Sequence, residues 1–230
     1  MWTKFEHQFY DLATFPLLCL LFSCVLGIRY WQRLPRAIRM LVIYLVFNFL
    51  IEIGARIASI LYSQNLPLLH IYTFGELLLF SIFFNQILDK NSIFKRYFYW
   101  ILGIALSLVV LNTLFLQGIF ELNSFAKTLV QILIIVYALD YAFRFSDVEE
   151  SSPTLNNALQ LVNAAILIYY CGSLFIFMSS QFEVQMGKGI RILWKINAIL
   201  NLIFQIMVLI ALWKVIFNRP KSYSSQERVS

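Results

Sequence analysis

The sequence predicts an all-α, polytopic membrane protein: a bundle of seven transmembrane helices with its amino terminus outside and its carboxyl terminus inside. Composition is the first indication, because 60% of the 230 residues are hydrophobic and only 13% are charged. Soluble domains contain about 45–50% apolar and about 25% charged residues. The second indication is a mean hydropathy of +0.75. The third is a series of apolar runs, each near the ~20 residues that cross a bilayer. We therefore expect the lipid bilayer to contact most of the surface.

The predicted spans follow one another with short connections, which leave no space for a soluble domain between them. They lie near residues 12–29, 38–61, 66–88, 97–117, 125–144, 157–180 and 190–217. Four of them are preceded by residues that commonly begin helices: Asn65 with Pro67, Ser92, Ser124, and Ser152 with Pro153. The chain is therefore predicted to form one seven-helix domain over residues 1–218 and a polar cytoplasmic tail over residues 219–230.

The distribution of Lys and Arg predicts the orientation, because short inner loops of membrane proteins carry an excess of both. With the amino terminus outside, twelve cations lie on the inner side: Arg29, Arg33, Arg36, Arg39, Lys90, Lys95, Arg96, Arg144, Lys214, Arg219, Lys221 and Arg228. Six lie on the outer side: Lys4, Arg56, Lys127, Lys188, Arg191 and Lys195. The net charge of +6 therefore reports membrane orientation, and we expect no nucleic-acid partner. The lack of glycosylation sequons and of disulfide-rich loops favours a multi-pass protein of a cell membrane, the bacterial inner membrane.

Ionisable and polar side chains within the apolar spans are the candidate functional residues, because charge at membrane depth is costly. The second and third spans place Glu52 and Glu76 at roughly 13 and 15 Å below the outer surface, from the rise of 1.5 Å per residue. A short turn makes these two helices antiparallel neighbours, so both carboxylates lie at a similar depth. The resulting candidate ligand-binding or proton site consists of Glu52, Arg56, His70, Tyr72, Glu76 and Asn201.

Each candidate also has a structural interpretation that the sequence leaves open. Glu52 and Arg56 have the i, i+4 spacing of an ion pair within one helix. Glu76 has no cation within one turn, so it either meets Arg56 across the hairpin or is protonated. His70 and Tyr72 are close enough to the outer surface to be interfacial residues. The amide stripe that includes Asn201 is typical of hydrogen bonds between helices.

The sequence argues against several kinds of chemistry. With two histidines in all, a three-histidine zinc site is impossible, and no HExxH motif is present. We predict no metal and no cofactor. No GxSxG elbow or Gly-rich phosphate loop occurs, so catalytic residues cannot be assigned. The three cysteines all lie in apolar runs and are interpreted as small hydrophobic residues.

Three functional hypotheses remain. The preferred one is a binding or sensing protein, in which an outward-facing polar pocket takes a small-molecule or lipid ligand and a cytoplasmic signalling protein receives the signal. The second is an intramembrane enzyme that acts on a lipid or lipid-linked substrate, with a glutamate as general acid or base. The third is a proton-coupled carrier of small solutes. Gly54 and Gly75, which flank the two glutamates, keep the carrier hypothesis open.

Overall fold

All regular structure in the described part of the chain is helical. The computed structural model describes residues 2–144, 153–183 and 190–218, with side chains over 14–144, 153–179 and 192–218. The predicted polar tail at 219–230 lies outside the described residues. Helix α8 ends just before it, at Phe217. The helices are α1 (Trp2–Arg29), α2 (Arg36–Tyr62), α3 (Leu66–Ile87), α4 (Ile93–Arg96), α5 (Phe98–Leu111), α6 (Ser124–Arg144), α7 (Pro153–Glu183) and α8 (Ile190–Phe217).

Six of these helices are long and apolar enough to cross a bilayer, which supports a multi-pass helical membrane bundle. They are α2, α3, α5 with its continuation to Leu116, α6, α7 and α8. Within α1, a shorter apolar stretch over Thr14–Arg29 meets the composition of a span but not the length. A seventh crossing and the positions of the two termini remain predictions.

Six long helices close into a ring, and α5 lies outside it. Around the ring, α1 contacts α2, α2 contacts α3, α3 contacts α6, α6 contacts α7, α7 contacts α8, and α8 returns to α1. Helix α5 packs mainly against α3 and more weakly against α6. Consistent with this position, α5 is the least buried of the candidate spans. Helices α3 and α6, which are far apart in the sequence, are therefore direct neighbours.

Large side chains fill the ring, so its centre is a packed core. Buried aromatic rings from three different helices meet there: Phe80 lies 4.3 Å from Tyr44 and 5.5 Å from Tyr170, measured between ring centroids. On the α8 side, Tyr169 lies 5.4 Å from Phe204. Such pairs add to the area that each ring buries, by about 0.5–1.5 kcal/mol per pair.

Two glycines allow neighbouring helices to approach closely. A Cβ atom on Gly27 of α1 would lie 2.5 Å from a methyl carbon of Val42 on α2, and one on Gly172 of α7 would lie 2.5 Å from Leu200 on α8. Small residues at such crossings are the usual way in which membrane helices pack, because backbones can then come into van der Waals contact.

Hydrogen bonds between side chains and the backbone hold the connections between helices. Between α1 and α2, Arg39 donates to the carbonyls of Leu34 and Gln32. Between α3 and α5, Lys95 donates to the Leu88 carbonyl, and the Ser92 hydroxyl accepts from the backbone of Phe94. Helix α6 begins at Ser124 and α7 at Pro153, as predicted. Ser92 caps the four-residue helix α4, which precedes the predicted fourth span, and its hydroxyl satisfies one free backbone N–H there.

Candidate functional site

The most deeply buried ionisable groups form an ion pair between α3 and α6. The Lys127 ammonium lies 2.5 Å from Oε2 of Glu76, and the two side chains are 1% and 0% exposed. The second carboxylate oxygen of Glu76 accepts a hydrogen bond of 2.7 Å from the Tyr170 hydroxyl on α7. Both oxygens of the carboxylate are therefore satisfied, which is the condition for keeping a charge in a medium of low dielectric constant.

Aromatic side chains extend this pair to a fourth helix. The Lys127 ammonium lies 4.3 Å from the ring centroid of Tyr72, a favourable distance for a cation–π contact. The Tyr72 and Tyr44 hydroxyls are 3.3 Å apart. Through these contacts α2, α3, α6 and α7 share one polar network, which we call the Glu76 network: Tyr44, Tyr72, Glu76, Lys127 and Tyr170.

The partner of Glu76 differs from the one considered from the sequence. Lys127 reaches Glu76 from the first turn of α6, whereas the sequence offered Arg56 across the hairpin. The contact arises because α3 and α6 are neighbours in the ring. Because Lys127 is buried, it no longer counts among the cations of the outer side. Removing it from the six leaves five, which increases the predicted inward bias of positive charge.

Farther along α6 from Lys127, further polar contacts join α6 to α7. Gln131 donates to the Ser173 hydroxyl, and Asn163 donates to the Ala138 carbonyl over 3.1 Å. Since hydrogen bonds between membrane helices contribute roughly 0.6 kcal/mol on average, these contacts mainly fix the register of α6 against α7.

A second polar site lies on the opposite side of the ring, between α1, α2 and α8. Glu52 from α2 and Asn201 from α8 line a common cavity of about 40 Å³, and Pro16, Leu17, Leu20 and Ala198 complete its wall. We call it the Glu52–Asn201 cleft. The structure therefore brings together two candidates that are 149 residues apart in the sequence.

Glu52 and Asn201 are the polar residues of the cleft wall, and the other four lining residues are apolar. Within the described part of the chain, no group donates a hydrogen bond to the Glu52 carboxylate, and Arg56 acts on it electrostatically from one turn away. On α8, Gln205 donates to Oδ1 of Asn201 over 3.3 Å, while its own Oε1 is buried without a hydrogen-bond partner. Oδ1 of Asn197, one turn from Asn201 in the other direction, is also buried without a partner.

The remaining candidates lie apart from the cleft. His70 is buried between α3 and the end of α5, where Nδ1 lies 3.0 Å from the Thr113 hydroxyl and Nε2 lies 3.3 Å from the Glu121 carbonyl. Tyr72 belongs to the Glu76 network. The predicted set thus separates into the cleft (Glu52, Asn201, with Arg56 one turn away), the Glu76 network, and the His70 contact.

Sequence reasoning left out Lys127 and Tyr170, although both were visible as polar side chains in apolar spans. The available signal was the position of Lys127 within a predicted span, where an ionisable side chain is costly. Among the described residues, no group of three or more His, Cys, Asp or Glu side chains could hold a metal ion. No protein-family model, curated protein or solved structure matches this chain.

Proposed function

We propose that this protein binds a small ligand in the Glu52–Asn201 cleft and passes the bound state to a cytoplasmic signalling partner. The single observation that carries the proposal is the shared cavity of Glu52 and Asn201 between α1, α2 and α8. An intramembrane carboxylate that faces a cavity is a functional-site hypothesis by default, because leaving it there without a purpose is costly.

The cleft is a better candidate than the Glu76 network because the two sites differ in how their charges are satisfied. Glu76 has a donor on each carboxylate oxygen, and its cation is equally buried. Such a pair fixes helix packing and has no capacity left for a ligand. The Glu52 carboxylate has acceptor capacity to spare, and its exposure is intermediate.

The position of the cleft supports a sensing role. It is formed where the first and last helices of the ring close it, and a ligand there would contact α1, α2 and α8 together. A ligand that binds one arrangement of these helices more tightly shifts the population toward that arrangement. In this proposal α1 is the seventh crossing, the amino terminus is outside, and the protein lies in the bacterial inner membrane. The signalling partner binds the basic inner loops of the protein.

The test is a ligand screen by thermal stability on the full-length protein in detergent or nanodiscs. We expect one class of small ions or solutes to raise the unfolding temperature of the wild type. The shift should disappear in Glu52→Gln and persist in Glu121→Gln, which removes a carboxylate outside the cleft. Product formation from added lipids, lost with the same Glu52→Gln change, would instead support an enzyme, and the sensing proposal would be wrong.

A further inference from the structure

We infer that a groove along the first half of α5 binds one anionic phospholipid. Its acyl chain lies in the groove, and its phosphate lies at the basic end of the helix. The site is separate from the Glu52–Asn201 cleft, so the inference is independent of the proposed function. The groove, which we call the α5 groove, has a volume of about 450 Å³ and is lined by Tyr99, Trp100, Gly103, Ile104, Ser107 and Leu108.

No part of the described chain fills the α5 groove, which faces lipid. Helix α5 lies outside the ring of six helices and is the least buried of the candidate spans. A Cβ atom on Gly103 would have no neighbour within 4 Å, whereas Cβ atoms on Gly27 and Gly172 would collide with adjacent helices. Gly103 is therefore not needed for packing within the chain, and the space beside it is available to a lipid.

The length and polarity of the groove match one acyl chain in one leaflet. From Tyr99 to Leu108 it follows α5 for roughly 14 Å, at a rise of 1.5 Å per residue. That length is close to half of the ~30 Å hydrocarbon core, and therefore to the depth of one leaflet. The Ser107 hydroxyl already donates to the Gly103 carbonyl over 2.8 Å, so this part of the wall offers no free donor and suits an acyl chain.

The end of the groove carries an excess of positive charge. Arg96, one turn before Trp100, is exposed, and no described acidic side chain forms an ion pair with it. Lys90 and Lys95 belong to the same connection between α3 and α5, in which Asp89 is the one acid. Three cations against one acid leave a net charge of +2. Basic sites at the ends of membrane helices bind anionic lipid headgroups for this reason.

Tyr99 and Trp100 mark the level of the headgroup. They are 85% and 75% exposed, and amphipathic aromatic side chains concentrate where hydrocarbon meets water. Backbone hydrogen bonds on both sides of Tyr97 continue the helical path from α4 into α5. At spacings of three and four residues, Arg96 therefore shares a helix face with Tyr99 and Trp100. A phosphate beside Arg96 would direct its acyl chain along Gly103.

A lipid fits this site better than a second copy of the chain does. Copies in one membrane share the same orientation, so a symmetric contact through α5 would bring two Arg96 side chains to the same level. Like charges that meet across an interface cost affinity. A phosphate instead pairs with the same guanidinium through charge-assisted hydrogen bonds.

The test is photolabelling of the full-length protein in phosphatidylcholine nanodiscs with a trace of phosphatidylglycerol that carries a diazirine in its acyl chain. We expect labelling to concentrate on residues 99–108, and unlabelled phosphatidylglycerol to compete at a lower mole fraction than phosphatidylethanolamine. Arg96→Gln should raise the phosphatidylglycerol needed for competition about fivefold, the effect of one cation at an anionic surface. Arg36→Gln, which removes an exposed cation on α2, is the matched control and should leave competition unchanged.

Gly103→Leu tests the groove itself. Because the space beside Gly103 is open, the leucine should fill the groove without disturbing the fold, and the unfolding temperature of the variant checks this. Labelling of residues 99–108 should fall to the level of the other lipid-facing segments. Val25→Leu, at an exposed position of α1, should leave it unchanged. Arg96→Gln decides the question if Gly103→Leu unfolds.

Labelling spread evenly over the lipid-facing helices would mean that the groove holds only bulk lipid, and would overturn the inference. Equal competition by phosphatidylglycerol and phosphatidylethanolamine would show no selection for an anionic headgroup and would overturn it as well. A dimer that Gly103→Leu converts to a monomer, measured by light scattering, would assign the groove to a second copy instead. These variants leave Glu52 and Asn201 in place, so the proposed function stands or falls separately.

Discussion

The carboxylate of Glu76 on α3 and the ammonium of Lys127 on α6 approach to 2.5 Å, with both side chains withdrawn from the surface. Fifty-one residues separate them in the sequence, and the contact joins two helices that are not consecutive. Because an ion pair in a medium of low dielectric constant cannot lose one partner without exposing the other to that medium, the pair fixes α3 against α6.

The first prediction concerns the removal of one or both charges of this pair. Glu76→Leu or Lys127→Leu alone should lower the free energy of unfolding by about 3–5 kcal/mol, because each leaves an unpaired buried charge. The double substitution should be markedly less destabilising than the sum of the two. Unfolding by SDS titration in mixed micelles measures all three values.

The partly buried pair of Asp140 and Arg144 on α6 serves as the comparison, because it has the i, i+4 spacing and is more solvated than the Glu76–Lys127 pair. Asp140→Asn should cost no more than about 1 kcal/mol. Additive losses in the Glu76 and Lys127 variants would mean that the two charges do not interact in the folded protein.

The second prediction concerns the Tyr170 hydroxyl, which donates to Glu76 over 2.7 Å. Tyr170→Phe keeps the ring that packs on Phe80 and removes only the donor, so it should cost about 1.5–3 kcal/mol, as expected for a hydrogen bond to a charged group. Tyr99→Phe is the matched control, since Tyr99 is 85% exposed. Equal unfolding temperatures for the two variants would show that the hydroxyl does not stabilise the carboxylate.

Much of the architecture follows from the sequence for a simple physical reason. Every span must be long and apolar enough to cross the bilayer. The sequence therefore predicts that α6 begins near Ser124 and α7 near Pro153. Which helices are neighbours in the bundle cannot be predicted in this way. Nothing in the spans themselves specifies that α3 packs on α6, and for this reason Glu76 could not be matched with Lys127 in advance.

The third prediction concerns the two glycines that flank the acidic residues. A Cβ atom on Gly75 would overlap the Phe47 ring, whereas one on Gly54 would lie at an ordinary 3.6 Å from Leu68. Gly75→Ala should therefore destabilise the α2–α3 contact by about 1–3 kcal/mol through overpacking. Gly54→Ala should be neutral or stabilise by up to about 1 kcal/mol, from helix propensity.

Unfolding temperatures of the two alanine variants provide the comparison. If Gly75→Ala is as stable as Gly54→Ala, the glycine at position 75 is not a packing requirement. Its position beside Glu76 would then again favour a hinge, as the carrier hypothesis expects.

The fourth prediction concerns His70, which links α3 to the Thr113 hydroxyl and the Glu121 carbonyl. His70→Ala should loosen the end of α5 and the connection to α6, because both contacts are lost together. Hydrogen–deuterium exchange should rise over residues 112–123 and stay unchanged in α7. Protection that is unaltered over 112–123 would show that His70 does not hold this segment.

The candidate site was accessible to sequence reasoning in part. Glu52 and Asn201 stand out as polar residues at membrane depth, but only closure of the ring between α1 and α8 places them in one cavity. Closure of the ring also places Pro16, which belongs to the first predicted span, in the wall of this cavity. The sequence shows which residues are costly to bury. The arrangement of the helices decides which of them find a hydrogen-bond or charge partner.

The most direct test of the account is whether a small solute reaches the Glu52–Asn201 cleft while the interior of the ring stays closed. Asn201→Cys and Leu77→Cys, each in a variant with Cys19, Cys24 and Cys171 replaced, are exposed to Ag⁺ in nanodiscs and then labelled with maleimide after denaturation. Ag⁺ is a small cation that binds thiols. The account predicts that Ag⁺ protects position 201 from maleimide and leaves position 77, which is 0% exposed, unprotected. Equal protection at both positions, or none at position 201, would contradict it.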